Sequence, residues 1–396
     1  MKIAIDCRTI LNPACGEAAG IGHYVYFLVK NILRQDPKNE YVLFFDERLS
    51  PEAAAEFIGK SRNATARFFP WGRYKRYLPI AYSHLLVAAA VAKERPDIFH
   101  LPAGAMPLAS VVPTVVTVHD LAIYAHPEWF PKQDFSVKVA YPRTMKAARR
   151  IISVSEATKR DLVKRFRIAP DKVAVIHPGV DVSGSSIFKE DIFSKDDFVD
   201  YVDLVERYKL RKPYLLYLGT IEPRKNVKGL CEAFVRAFKA SAEVRETELL
   251  IAGKPGWQDG GAIAAAKVAA RATKRAVRLL GYVGHRDKFP LMRSARAFVF
   301  PSFAEGFGLP VVEALALGVP TLVSDIPIFH EVAGAAAVFA DPKSVVSLAK
   351  AIVKVTSDDK FQARLAAAGP KRAKIFSWSE AAKKTVMAYG KAARGR

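Results

Sequence analysis

Short apolar runs recur along the chain, separated by stretches whose apolar positions repeat at helical spacing. The runs predict β-strands at Lys2–Asp6, Tyr41–Phe45, Ile98–Leu101, Thr114–Val118, Ile151–Val154 and Val173–Ile176. Four more follow in the second half, at Tyr214–Leu218, Glu248–Ala252, Ala297–Phe300 and Thr321–Ser324. Between the first two strands, Tyr24, Phe27, Leu28 and Ile32 give His23–Arg34 one apolar helical face. Strands and helices alternating in this way predict an α/β fold of parallel sheets wrapped by helices. At 396 residues the chain exceeds one ordinary core, so two such domains are expected.

Composition narrows the setting. The longest apolar runs, such as Leu85–Ala92, fall far short of a bilayer span, and the start MKIAIDCRTI reads as a strand, not a targeting segment. Cys7, Cys15 and Cys231 show no metal-ligand spacing and cannot all pair with one another, which fits a reducing, cytoplasmic compartment without a membrane anchor. The formal charge of +22 draws the protein to something anionic. Ten Lys or Arg residues lie between Ser136 and Ile168 against only Glu156 and Asp161, a face that either binds a partner or is simply solvated. AIAAAKVAARATKRAVRLL, with Lys267, Arg271, Lys274, Arg275 and Arg278, reads as a second basic helix, solvated on its charged face. In FFPWGRYKRYLPIAY, between Arg67 and Tyr82, aromatic and basic residues interleave. That segment either grips an anionic acceptor or membrane surface, or folds its rings onto the core.

The most informative stretch is Pro301–Asp325, PSFAEGFGLPVVEALALGVPTLVSD, which reads as strand end, glycine loop, helix and strand. Gly306 and Gly308 let backbone approach a ligand, and Pro310 suits the first helical turn. The helix start then offers an anion seat, with Glu305 before it and Glu313 one turn beyond. Two carboxylates flanking a phosphate seat suit a diphosphate with hydroxyls on both sides. Gly219, Arg224 and Lys225 follow another strand in GTIEPRKN, and two adjacent cations at a strand–helix junction make a diphosphate clamp. His119 and Asp120 end the strand TVVTVHD, where ligand sites in such sheets are found. Gly20 and Gly22 precede a helix and can bring N–H groups near a phosphate, although their spacing is not the dinucleotide fingerprint.

EGFGLPVVEA closely resembles the Glu-x7-Glu signature of retaining nucleotide-sugar glycosyltransferases, and GTIEPRKN resembles their Arg-Lys diphosphate motif. The resemblance spans nearly the whole chain. It implies the GT-B architecture: two Rossmann-like doubly wound parallel-sheet domains facing a central cleft, with a last helix after Trp378 crossing back to the first. The domains expected are 1–182 on the acceptor side, a linker at 183–212 with a helix around Phe198–Tyr208, the donor domain at 213–375, and the returning helix at 376–396. It further implies catalytic His119, Glu305, Arg224 and Lys225. Donor binding would fall to Gly20, Gly22, Gly219, Tyr282, Val283, Gly306, Phe307, Gly308, Leu309 and Glu313, with Tyr282 and Val283 in the GYVG turn meeting the base. Asp120 reads as structural.

The expected reaction moves a sugar from a nucleoside diphosphate to an acceptor hydroxyl with retention, by a front-face route in which the departing phosphate takes the acceptor's proton. GIGHYVYFL, GTIEPRKN and SDIPIFHEVAG look most like bacterial mannosyltransferases of polysaccharide assembly, which implies GDP-mannose as donor and a glycan or lipid-linked acceptor. With no Asp-x-Asp and no clustered His ligands, neither metal nor other cofactor is expected. A hydrolase using the two carboxylates as acid and nucleophile is rejected, because the phosphate seat lies between them. An epimerase or hydrolase of the same fold stays open on product grounds. Peripheral contact with an anionic membrane at its inner face is expected, and binding to nucleic acid is not, since no recognition motif accompanies the charge.

Overall fold

The computed structural model describes residues 1–12, 20–69, 82–132, 134–180, 201–211 and 213–394. The interleaved aromatic and basic segment therefore lies largely outside the described residues, as do Cys15, most of GEAAGIG and the first part of the linker. The chain forms two compact units: Met1–Ala125, Lys132–Gly179 and Ser377–Arg396 make the first, His126–Pro131 and Val180–Phe376 the second.

The first unit is built on strands β1 (Lys2–Asp6), β2 (Glu40–Asp46), β3 (Ala64–Phe69), β4 (Ile98–Leu101), β5 (Thr114–Val118), β6 (Arg150–Ser153) and β7 (Val173–Val175). They pair in parallel in the order β3-β2-β1-β4-β5-β6-β7. β1 and β4–β6 are buried almost throughout because helices cover both faces of the sheet. The reversal of strand order between β1 and β4 opens a crevice beyond their carboxyl ends, where ligands bind in such sheets.

The returning helix, Trp378–Arg394, belongs to this unit and lies against helix Ile21–Gln35. Trp378 stacks on Phe27 with ring centroids 5.6 Å apart. A Cβ on Gly179 would stand 2.0 Å from the Trp378 nitrogen, so only glycine lets the two backbones meet there. Further along, Tyr389 Oη lies 2.7 Å from Nδ1 of His100, whose Nε2 lies 2.9 Å from Thr117 Oγ1. His100 is fully buried, and burial pulls its pKa down to about 3, with a lesser contribution from His119.

The second unit carries β8 (Tyr214–Leu218), β9 (Glu248–Ala252), β10 (Val277–Gly281), β11 (Ala297–Phe300), β12 (Thr321–Ser324) and β13 (Val338–Ala340), all parallel in the order β10-β9-β8-β11-β12-β13. Its switch point falls between β8 and β11. The linker helix is present at Tyr201–Tyr208.

Two expectations are corrected. The second basic helix stops at Ala272, and Lys274 and Arg275 take positive φ before the chain turns into β10. Arg278 is therefore a strand residue, its guanidinium on Glu248 and on the Tyr208 and Lys209 carbonyls. Residues 126–131, expected within the first domain, instead join the second unit: Trp129 stacks on Phe303, Phe130 on Trp257, and Trp257 Nε1 donates to the Trp129 carbonyl at 2.5 Å.

Candidate functional site

In the second unit the two loops flanking the switch point bring Arg224, Lys225 and Glu305 together. The loop after β8 ends in a single 3-10 turn, Pro223–Lys225, and the loop after β11 carries Glu305. A backbone bond from Phe303 N to Arg224 O, 2.8 Å, ties the two loops. Lys225 Nζ donates to Glu305 Oε1 at 2.5 Å and Arg224 Nη1 to Glu305 Oε2 at 3.2 Å. Arg224 also forks onto Glu222 Oε1 through Nε at 3.1 Å and Nη2 at 2.8 Å. All four side chains are nearly shut off from water, from 4% exposed at Glu222 to 15% at Arg224.

Burial shapes the titration of this cluster. It draws the Lys225 ammonium below its usual value, helped by Arg224 and opposed by Glu305. Burial alone would raise Glu305, but Lys225 and Arg224 outweigh it and hold the carboxyl below its ordinary range.

Sequence reasoning missed what holds the cluster. Asn226 is buried in the left-handed region, φ 56°, and its Nδ2 donates to the Pro301 and Pro342 carbonyls at 3.1 and 2.8 Å. It thus ties the clamp turn to the end of β11. Its place directly after Arg-Lys was the only available signal. Gly219 has no positive φ; instead its carbonyl would meet a Cβ on Gly253 at 1.8 Å, so the close approach of two backbones is the constraint.

Beyond Glu305, Gly306 and Phe307 are buried, and Phe307 meets Phe376 edge-on. Gly308, φ 88°, caps helix Leu309–Ala316 without a side-chain bond, and a Cβ there would lie 2.8 Å from Phe329 Cε1. Glu313, expected beside the anion seat, sits in that helix and is buried against Lys288, a residue no motif signalled. In the turn after β10, Gly281 has φ 73°, Val283 is buried, and Tyr282 is half-exposed with Lys254 Nζ 4.3 Å from its ring centre.

In the first unit, His119 follows β5 and its Nε2 lies 2.7 Å from the Pro102 carbonyl just after β4. A carbonyl only accepts, so Nε2 carries the proton and Nδ1 of the neutral ring is the acceptor. Burial lowers the His119 pKa, against the pull of the Pro102 carbonyl and Asp120. Tyr24 meets the imidazole edge-on at 4.7 Å, and its backbone N–H donates to the Gly20 carbonyl at 3.1 Å. Gly20, φ 73°, caps helix Ile21–Gln35, and Gly22 is buried in its first turn. His119 and the Gly20 helix start thus share one neighbourhood beside the crevice of the first sheet. Asp120 caps its own turn, accepting from Ala122 N at 3.0 Å.

Among the described residues, no group of His, Cys, Asp or Glu could hold a metal ion, and no helix is long and apolar enough to cross a membrane. Two family models match the chain: "Glycosyl transferases group 1" over residues 205–372 and "Glycosyltransferase Family 4" over residues 18–183. Over 98% of its length the chain is 30% identical to the O-antigen chain mannosyltransferase B of Escherichia coli, of which it covers 99%. Among solved structures it is similar in fold to Anabaena HepE in complex with UDP and glucose, with TM-score 0.69, 18% identity and 98% of each chain covered. A sucrose-phosphate synthase from Thermosynechococcus elongatus matches at TM-score 0.73 with 17% identity, again over 98% of each chain.

Proposed function

We propose, on the premise that this chain belongs to the group 1 glycosyltransferases of GT-B fold, that it transfers mannose from GDP-mannose to a hydroxyl of a lipid-linked or polysaccharide glycan, retaining the anomeric configuration. The observation that carries the donor site is the buried Arg224, Lys225 and Glu305 cluster at the switch point of the second sheet. The mannosyl donor draws its support from the name of the Escherichia coli relative.

In this reading the anomeric carbon–oxygen bond to the β-phosphate breaks while the acceptor oxygen bonds to the same face. The acceptor's proton passes to the departing phosphate. Negative charge grows on the diphosphate, and Lys225, Arg224 and the helix start after Gly308 stabilise it. Glu305, kept ionised by the two cations, accepts hydroxyls of the donor sugar. Glu313 accepts from the ribose. The GYVG turn meets the base with backbone groups. His119 offers a neutral Nδ1 to a sugar hydroxyl, and the helix start at Gly20 and Gly22 adds N–H groups toward phosphate. The net charge of +22 favours a peripheral site at the inner face of an anionic membrane, where a lipid-linked acceptor would be found.

The test is product analysis with GDP-mannose, UDP-glucose and ADP-glucose, each with a lipid-linked glycan acceptor and with or without EDTA. An α-mannosylated acceptor from GDP-mannose alone, at a rate unchanged by EDTA, is expected. Free sugar or an isomerised donor would replace the transferase reading with hydrolysis or epimerisation. Transfer from a UDP or ADP sugar would keep the class and discard the donor.

A further inference from the structure

Glu313 does not stand in solvent as a helix-surface carboxylate would. Its side chain is 3% exposed, and Lys288 Nζ, on helix His285–Arg293, donates to its Oε1 at 2.5 Å. The lysine is 9% exposed, with Phe289 beside it, ring centre 4.9 Å from Nζ. A buried ion pair is a costly way to gain stability, because desolvating both charges cancels much of their attraction, and an apolar pair of similar volume often does as well. What such a pair does supply is a fixed carboxylate: one oxygen is pinned, and the rotation of the group with it.

The helix that carries Lys288 is itself anchored. Asp287, the preceding residue, accepts from Arg207 Nη1 at 2.6 and 2.7 Å and from Tyr208 Oη at 2.7 Å, both on helix Tyr201–Tyr208. The same helix begins directly after the GYVG turn. The ammonium is thus held between the segment assigned to the base and the carboxylate assigned to the ribose.

We infer that Lys288 is a positioning residue of the donor site, holding the Glu313 carboxylate in the one orientation in which it accepts the ribose hydroxyls of a nucleoside diphosphate. The inference rests on the donor-site reading above. It also distinguishes Lys288 from the Lys225 cluster: Lys288 touches no reacting atom and acts on nucleotide recognition alone.

The experiment compares affinities for GDP and 2′,3′-dideoxy-GDP, and likewise for UDP and its dideoxy analogue, by calorimetry on the full chain. With hydrogen bonds to a charged acceptor at stake, the normal protein should bind the ribonucleotide at least about 10-fold more tightly than the dideoxy form. Glu313→Ala should bring that ratio to near one. Lys288→Met should do the same while leaving dideoxy affinity unchanged, and Lys288→Arg should restore part of the ratio. In turnover, Lys288→Met should raise the donor KM by a similar factor with kcat within about threefold.

Equal weakening of both nucleotides with the ratio kept would mean a merely structural lysine and overturn the inference. A ratio unchanged in Glu313→Ala would instead overturn the ribose assignment beneath it. Because Lys288→Met leaves a buried carboxylate without its ammonium, the comparison is repeated in a Glu313→Gln background. There Lys288→Met should leave the ratio where Glu313→Gln has put it, and a further fall, showing that the lysine acts without the carboxylate, counts against the inference.

Discussion

Replacing Lys225 by methionine removes an ammonium while keeping most of the side chain's volume. Two losses follow, and the geometry separates them. The first is structural: Glu305 loses its 2.5 Å partner, and breaking a buried ion pair from one side costs about 3–5 kcal/mol in general. Here Arg224 still reaches Glu305 at 3.2 Å and the lysine is 12% exposed, so a loss of about 1–3 kcal/mol is expected. The second is catalytic: one preorganised donor to a developing anion is worth about 2.7–4 kcal/mol, or about 10²–10³-fold in kcat. Urea unfolding without ligand reads the first, and single-turnover transfer with saturating donor reads the second. Burial and Arg224 depress the Lys225 pKa, so the normal enzyme should lose rate on the alkaline side below 10.5, where an ordinary lysine titrates, and the variant should lack that limb. A folded Lys225→Met protein with kcat within threefold of normal would refute the clamp.

Three further outcomes are expected. His100 titrates at about 3 folded and near 6.5 unfolded, so the unfolded chain binds the extra proton between these values. Stability should therefore be intact above pH 6.5 and fall on acidification by about 1.4 kcal/mol per pH unit from this residue; urea midpoints at pH 7 and 5 would show the slope, flattened in His100→Gln. Asn226→Ala should destabilise by about 2–4 kcal/mol, since it frees two buried carbonyls and puts alanine at φ 56°, a loss readable as a lower Tm. Gly308→Ala, at φ 88° and against Phe329, should cost about 1–2 kcal/mol and lower kcat/KM for the donor, whereas Gly284→Ala, with open space around it, should leave Tm unchanged.

The sheets were legible in the sequence wherever strands are covered on both faces, because an unbroken apolar run survives any disturbance from neighbours. β3, β10 and β13 were missed, and all are edge strands. Each buries less: in β10 only Val277 is buried, the other residues being partly or fully exposed, and its VRLLG looked like the tail of a basic helix. The clamp and Glu305 could be anticipated because local spacing puts them on adjacent loops. Asn226 and Lys288 could not, since what they do depends on carbonyls and a carboxylate brought from 25 to 116 positions away. Trp129 and Phe130 escaped for the same reason: nothing in HPEWFP marks its rings as partners of Phe303 and Trp257.

The helix Trp378–Arg394 supplies Tyr389 to the buried His100 and Trp378 to the face of Phe27, so the first unit lacks part of its interior until that helix exists. During synthesis, its sheet has emerged by Gly179, but its last layer follows some 200 residues later, a wait of about 10–40 s at translation rates of about 5–20 residues per second. The second unit can therefore complete its core first. The domain made first on the ribosome is finished last, and a chain released early would hold an unsealed first domain beside a sound second one.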